Sequence, residues 1–174
     1  MKVGKLNTAV NSRGETIVMN RNGEICVLDE NGREREKNSI IYGAKLKLRD
    51  GDKVRVGTVI AEWDPYTIPI LTETSGRVKF GDIVEGVTMQ EQLDEVTGFS
   101  TKVITESKDP EARPRVSIKD ERGRTLKIPG TESMSRYLLP VGAHIVVAEG
   151  GMVHQGDVIA KIPRETTKTK DITG

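Results

Sequence analysis

Residues 43–63, GAKLKLRDGDKVRVGTVIAEW, recur without gaps as residues 142–162, GAHIVVAEGGMVHQGDVIAKI. Gly43, Gly51, Gly57 and Val59-Ile60-Ala61 fall on Gly142, Gly150, Gly156 and Val158-Ile159-Ala160. Self-similarity of this kind means that one supersecondary unit is used twice, so whatever the first copy forms the second must form as well. A shorter echo lies upstream, where LDENGRE from Leu28 aligns with KDERGRT from Lys119. The two blocks stand farther apart in the second copy, where IPGTESMSRYLLP supplies residues that the first lacks, as an insertion at a loop does.

Each copy reads as short strands joined by turns. Asp-Glu-Asn-Gly and Asp-Glu-Arg-Gly end in a glycine suited to positive φ and follow the alternating runs CVLD and VSIKD, which is a hairpin signature. The later block alternates through Ala44, Leu46 and Leu48, turns at Gly51 and again at Gly57, and ends in an apolar run. Gly51, Gly57, Gly150 and Gly156 are expected to hold positions that a Cβ would crowd. TSGRVKFGDIVEGVTMQEQLDEVTGFSTKVITES gives strands through Arg77 to Phe80 and Thr101 to Ile104 and opens the second copy. Its counterpart is KLNTAVNSRGETIVMNRNGEI, with a turn at Arg13-Gly14 and a strand through Thr16 to Met19. Pro65 and Pro69 suit an extended connection between the copies. No convincing amphipathic helix of ten or more residues appears; Met89 to Val96 is the nearest approach, with room for two turns at most.

Composition agrees with a strand fold. Aromatic residues are 3% of the chain, so the core must come mainly from Val, Ile and Leu, side chains that favour a pleated surface. The expected fold class is all-β, as two tandem modules over 1–68 and 69–165, with 166–174 as a flexible flank. The 27 basic and 26 acidic residues leave a net charge of +1, which argues against strong autonomous nucleic-acid binding. That reading would return only if folding gathered Lys45, Lys47, Arg49, Lys53 and Arg55 on one face. Cys26 is the sole cysteine, so no disulfide framework or multi-cysteine zinc site exists; its place in EICVLD suits a small buried hydrophobe. Nothing resembles a spanning helix or a signal peptide, and a cytoplasmic setting is expected.

Motifs for catalysis are absent: no Walker loop, GxSxG, HExxH or CxxC occurs. His144 and His154 have Lys45 and Arg55 at the matching places of the first copy, and solvent-facing strand positions are expected for them rather than a metal pair. Asp50, Asp52, Glu62 and Asp64 lack calcium-loop spacing and read as a solvated acidic edge. No catalytic, cofactor-binding or metal-ligating residue is assigned.

The run GDKVRVGTVIAEWDP followed by TSGRV resembles biotinyl and lipoyl carrier domains, which present their cofactor on a hairpin lysine. No lysine lies between Trp63 and Ser75, and Lys168 and Lys170 fall in the tail, so the resemblance implies a shared fold without the carrier chemistry. A closer resemblance rests on YGAKLKLRDGDKVRVGTVIAEWDPYTIPILTETSGRVKF, DEVTGFSTKVI, IPGTESMSRYLLPVGAHI and GDVIAKIPRETTKTKDITG. These segments are similar to the insertion in the trigger loop of the largest, β′-type subunit of bacterial RNA polymerases, with WDPYTIPILTETSG and TKDITG the most specific wording. That resemblance implies two tandem sandwich-barrel hybrid motifs, with Met1 an internal start rather than the native one. It also implies a noncatalytic piece that moves with the trigger loop and biases pausing, nucleotide addition and transcript cleavage. The implied partners are the rest of the polymerase (the trigger loop, the jaw, the secondary-channel rim and the β subunit) together with factors that use that channel. No cofactor is implied within the segment, because the polymerase's Mg2+ and Zn2+ sites lie outside it.

Overall fold

Alternating β-branched runs broken by positive-φ glycines dictate short antiparallel strands, and every regular element of the computed structural model is one. It describes residues 2–3, 6–93, 95 and 98–164; the flank expected over 166–174 lies outside them. Residues 2–62 build two sheets. One is β1 (Lys2–Val3), β4 (Gly23–Leu28) and β5 (Glu34–Ile40), in the order β1-β4-β5. The other is β2 (Thr8–Val10), β3 (Thr16–Val18), β6 (Lys45–Leu46) and β7 (Ala61–Glu62), in the order β2-β3-β6-β7.

Residues 67–163 build two more. β9 (Gly76–Gly81), β12 (Arg115–Lys119), β13 (Arg136–Leu138) and β15 (Met152–Val153) are ordered β13-β12-β9-β15. β8 (Thr67–Leu71), β10 (Met89–Leu93), β11 (Ser100–Ile104), β14 (His144–Ile145) and β16 (Val158–Pro163) are ordered β10-β11-β14-β16-β8. The larger core, with Ile104, Val116, Ile118, Ile145 and Ile159 among its members, fills this second set; Val18, Ile25, Ile40 and Ala44 form a smaller one in the first.

The repeat in the sequence is a repeat in hydrogen-bond register. Lys45 opposes Glu62 and Leu46 opposes Ala61; at the same spacing His144 opposes Lys161 and Ile145 opposes Ala160. Gly43 N donates to Val18 O at 2.9 Å and Gly142 N to Ile104 O at 2.8 Å. In the DENG and DERG hairpins, Gly32 N donates to Asp29 O and Gly123 N to Asp120 O, while each aspartate's Oδ1 accepts two further backbone N–H groups. The turn at Asn11 to Gly14 has the same pattern, with Asn11 Oδ1 accepting from Arg13 N and Glu15 N. β1-β4-β5 thus corresponds to β9-β12-β13, and β2-β3-β6-β7 to β10-β11-β14-β16. The second set carries one extra strand on each sheet, β15 beside β9 and β8 beside β16.

Three local expectations need correction, and the one segment with any helical pattern is a strand. Met89 begins a strand, not a helix: β10 pairs residue by residue with β11 at the sheet edge, where its polar side chains face water and hide the period of two. The connection around Pro69 is itself the strand β8, an edge position, where a proline's missing N–H costs no ladder bond. The glycine turns are not crowded, since a Cβ at Gly51, Gly57 or Gly150 would meet nothing within 4 Å. Positive φ, from 80° to 89°, is what requires glycine there. Gly156 alone of the four is approached, by Ala9 Cβ at 3.3 Å. Finally, Cys26 is half-buried on β4 rather than enclosed.

β8, which spans the expected division at residue 68, turns into β9 through a buried hydroxyl network. Thr72 Oγ1 donates to Thr74 O at 2.6 Å, Thr74 Oγ1 lies 2.7 Å from Ser135 Oγ, and Glu73 N donates to Tyr137 OH at 2.8 Å. The TETSG wording and the SRY of the inserted segment are therefore two sides of one corner.

Candidate contact surface at the junction of the two modules

The two copies meet where their sequences differ. Thr58 and Asp157 occupy equivalent turns: Thr58 Oγ1 accepts Arg55 N at 3.1 Å, and Asp157 Oδ2 accepts His154 N at 2.9 Å. The aspartate has a second oxygen, and Oδ1 reaches the other module, accepting both Ser12 N and Ser12 Oγ at 2.9 Å. Burial pushes the Asp157 carboxyl up, but the N–H groups of His154 and Ser12 and the Ser12 hydroxyl outweigh it and hold the group below its ordinary value. Tyr42 stands where the second copy has an exposed Val141. Its hydroxyl accepts Leu71 N at 3.2 Å, and burial pushes its ionisation up. Gly43 packs against the Pro69 ring, 2.5 Å from where a Cβ would sit.

Two clefts flank these contacts. One, of about 530 Å3, is bordered by Asn11, Glu15, Lys45, Asp157 and Lys161; the other, of about 440 Å3, by Tyr42, Trp63, Ile68, Pro69 and Arg164. Lys45 bridges Glu15 at 2.8 Å, and Trp63, Tyr66 and Ile68 are exposed beside the second cleft. A surface mixing exposed aromatic and aliphatic groups with ion pairs suits contact with another macromolecular surface.

The residues weighed in the sequence do not converge here. Asp52 Oδ2 accepts Arg49 N, Glu62 pairs with Lys47 at 2.9 Å, and Asp64 accepts Tyr66 N and the Thr67 hydroxyl, so each carboxylate serves its own turn or strand. Backbone and hydroxyl bonds hold Asp64 below the usual carboxylate range. Lys45 and Lys47 are engaged by Glu15 and Glu62, so these two of the five basic groups have a local counter-charge. His144 is half-buried on β14 and His154 is exposed in a turn; no cluster of three or more metal-donor side chains occurs among the described residues. Burial and a hydrogen bond with Glu34 push the Cys26 thiol up, away from the reactive thiolate. Ser12, Tyr42, Trp63, Pro69 and Asp157 went unassigned in the sequence. The signal that finds Tyr42 and Asp157 is the mismatch between copies, Tyr for Val and Asp for Thr, at otherwise equivalent positions.

No protein-family profile matches the chain. Among curated proteins, it is 59% identical over 169 residues to the DNA-directed RNA polymerase subunit β′ of Syntrophobacter fumaroxidans. The match covers 97% of this chain and 12% of that protein, so the chain spans about an eighth of the relative's length. With identity so high across both modules, the chain is a homologue of a segment of the β′ subunit of bacterial RNA polymerase.

Proposed function

We propose that this segment is a noncatalytic insertion in the trigger loop of a bacterial RNA polymerase, working within a cytoplasmic nucleotidyltransferase whose chemistry lies elsewhere in the subunit. The observation that carries the reading is the similarity to a β′ subunit over nearly the whole chain, joined to the resemblance of WDPYTIPILTETSG and TKDITG to the trigger-loop insertion. In this reading the chain is a tandem pair of sandwich-barrel hybrid modules, 1–68 and 69–165, with 166–174 leading back into the loop. Its partners are the trigger loop, the jaw, the secondary-channel rim and the β subunit, and factors that enter the channel. The loop alternates between open and folded states, and a mass that contacts the rim in one of them shifts the balance by its differential contact energy. About 1.4 kcal/mol of difference changes the ratio tenfold. No residue here is assigned to Mg2+ or Zn2+, which the polymerase binds outside the segment.

Sequencing the gene around this segment tests its placement. Continuation in frame into polymerase sequence on both sides is expected, and a free-standing gene would defeat the reading. The carrier-domain alternative predicts a mass increase after expression with a biotinylating or lipoylating enzyme. An unchanged intact mass is expected, because β8 and the corner from Trp63 to Ser75 contain no lysine.

A further inference from the structure

We propose that the first module is completed by an extended segment running into β1, which adds a strand to each of its two sheets along the course that Thr67–Arg77 takes into β9. The proposal rests on the reading that this chain is part of a longer polypeptide, and its grounds lie in the register. Lys2 opposes Cys26 and Lys79 opposes Ser117, and Cys26 and Ser117 each stand three residues before the hairpin aspartate. Lys2-Val3 therefore takes the place of Lys79-Phe80.

In the second module the residues just ahead of that point do two things. Gly76 and Arg77 pair with Val153 and Met152, creating β15, and Val78 N donates to Gly151 O at 2.9 Å. Farther back, Thr67–Leu71 forms β8 along the outer side of β16. The first module retains the receiving positions: Lys53-Val54 matches β15, and β7 matches the middle of β16. Yet residues 53–54 are not a strand, and β7 ends its sheet.

Burial follows the same division. Val153, Ile159 and Ala160 are 4%, 0% and 0% exposed, whereas their counterparts Val54, Ile60 and Ala61 are only half-buried. Val56 and Val59 are exposed. At the centre of each module, Val18, Ile25 and Ala44, like Ile104, Val116 and Ala143, are all buried. Loss of cover is thus found at both places where the second module has an extra strand. Apolar positions beside an open sheet edge are what an added strand covers.

The second module also sets the occupant's chemistry. A Cβ at Gly76 would lie 2.6 Å from Lys119 O and 2.7 Å from Ile118 Cγ2, and the counterparts of those residues, Leu28 and Val27, are present. The segment should be extended and partly apolar, with glycine three residues ahead of Lys2.

The test compares hydrogen exchange at residues 53–54 and 61–62 in this chain and in a form lengthened by the dozen or so residues that its gene encodes ahead of Met1. Exchange slowed by about tenfold or more in the lengthened form, independent of protein concentration, is expected. Unchanged exchange overturns the proposal. Protection that grows with concentration also overturns it, by assigning the strand to a second copy. A synthetic peptide copying Thr67–Arg77 is added to the unlengthened chain in parallel. Protection by the peptide without protection by the extension shows that the edges accept a strand but that this segment is the wrong one, which likewise overturns it. A gene with no coding sequence ahead of Met1 defeats the polymerase reading instead.

Discussion

Asp157 and Thr58 hold the same turn, but only the aspartate spans the junction. Replacing Asp157 with Ala removes two bonds to Ser12 and one to His154. A destabilisation of about 1–2 kcal/mol, read by urea unfolding, is expected for these partly solvated bonds. Because its folded-state pKa is depressed, the carboxylate contributes stability that is fully present above its unfolded pKa and is lost as pH falls through the folded value. Weakening of the junction is therefore expected below about pH 4, and Ser12→Ala should reduce that acid-dependent component of stability. An acid response identical in the Ser12→Ala variant and the parent would show that Asp157 is held by its own turn alone. Gly43 and Gly142 offer a second matched pair, with φ of 84° and 90°. Gly142→Ala meets open space and should cost only the left-handed backbone penalty, about 1–2 kcal/mol. Gly43→Ala also meets Pro69, and overpacking adds about 1–3 kcal/mol. Equal midpoint shifts for the two variants would mean that the Gly43 contact with Pro69 is not tight.

At the scale of elements, matched strands differ in what covers them. Ile159 on β16 is fully buried in the larger core, so Ile159→Ala should cost about 2–5 kcal/mol; Ile60→Ala, at a half-buried site, should cost well under that. Similar losses from the two changes would contradict the difference in cover. Tyr137→Phe removes the acceptor for Glu73 N and should destabilise by about 1–2 kcal/mol, with β8 amides exchanging faster. The hairpins were legible in the sequence because each turn is a local event: an Asp or Asn, two residues and a glycine suffice. The gapless repeat likewise transferred into strand register. β8 and β10 were not legible, because both are edge strands. Pro69 in one and the polar run after Met89 in the other are tolerated by pairing on a single side, which local sequence does not encode. The junction was hidden for a similar reason, since Ser12 and Asp157 lie 145 residues apart. It becomes visible only when one copy is subtracted from the other.

For the whole molecule, neighbouring charges of opposite sign, such as Lys45 with Glu15 and Lys47 with Glu62, offset one another locally. The contacts across the junction, Asp157 with Ser12 and the Tyr42 hydroxyl with Leu71 N, tie the two modules to each other. In the proposed function this pair regulates nucleotide addition without performing it. In-frame deletion of the segment from the polymerase that carries it, followed by measurement of single-nucleotide addition, pause dwell time and transcript cleavage on one template, separates regulation from chemistry. Addition should persist while pausing and cleavage change; abolition of nucleotide addition by a correctly assembled deletion enzyme would contradict it.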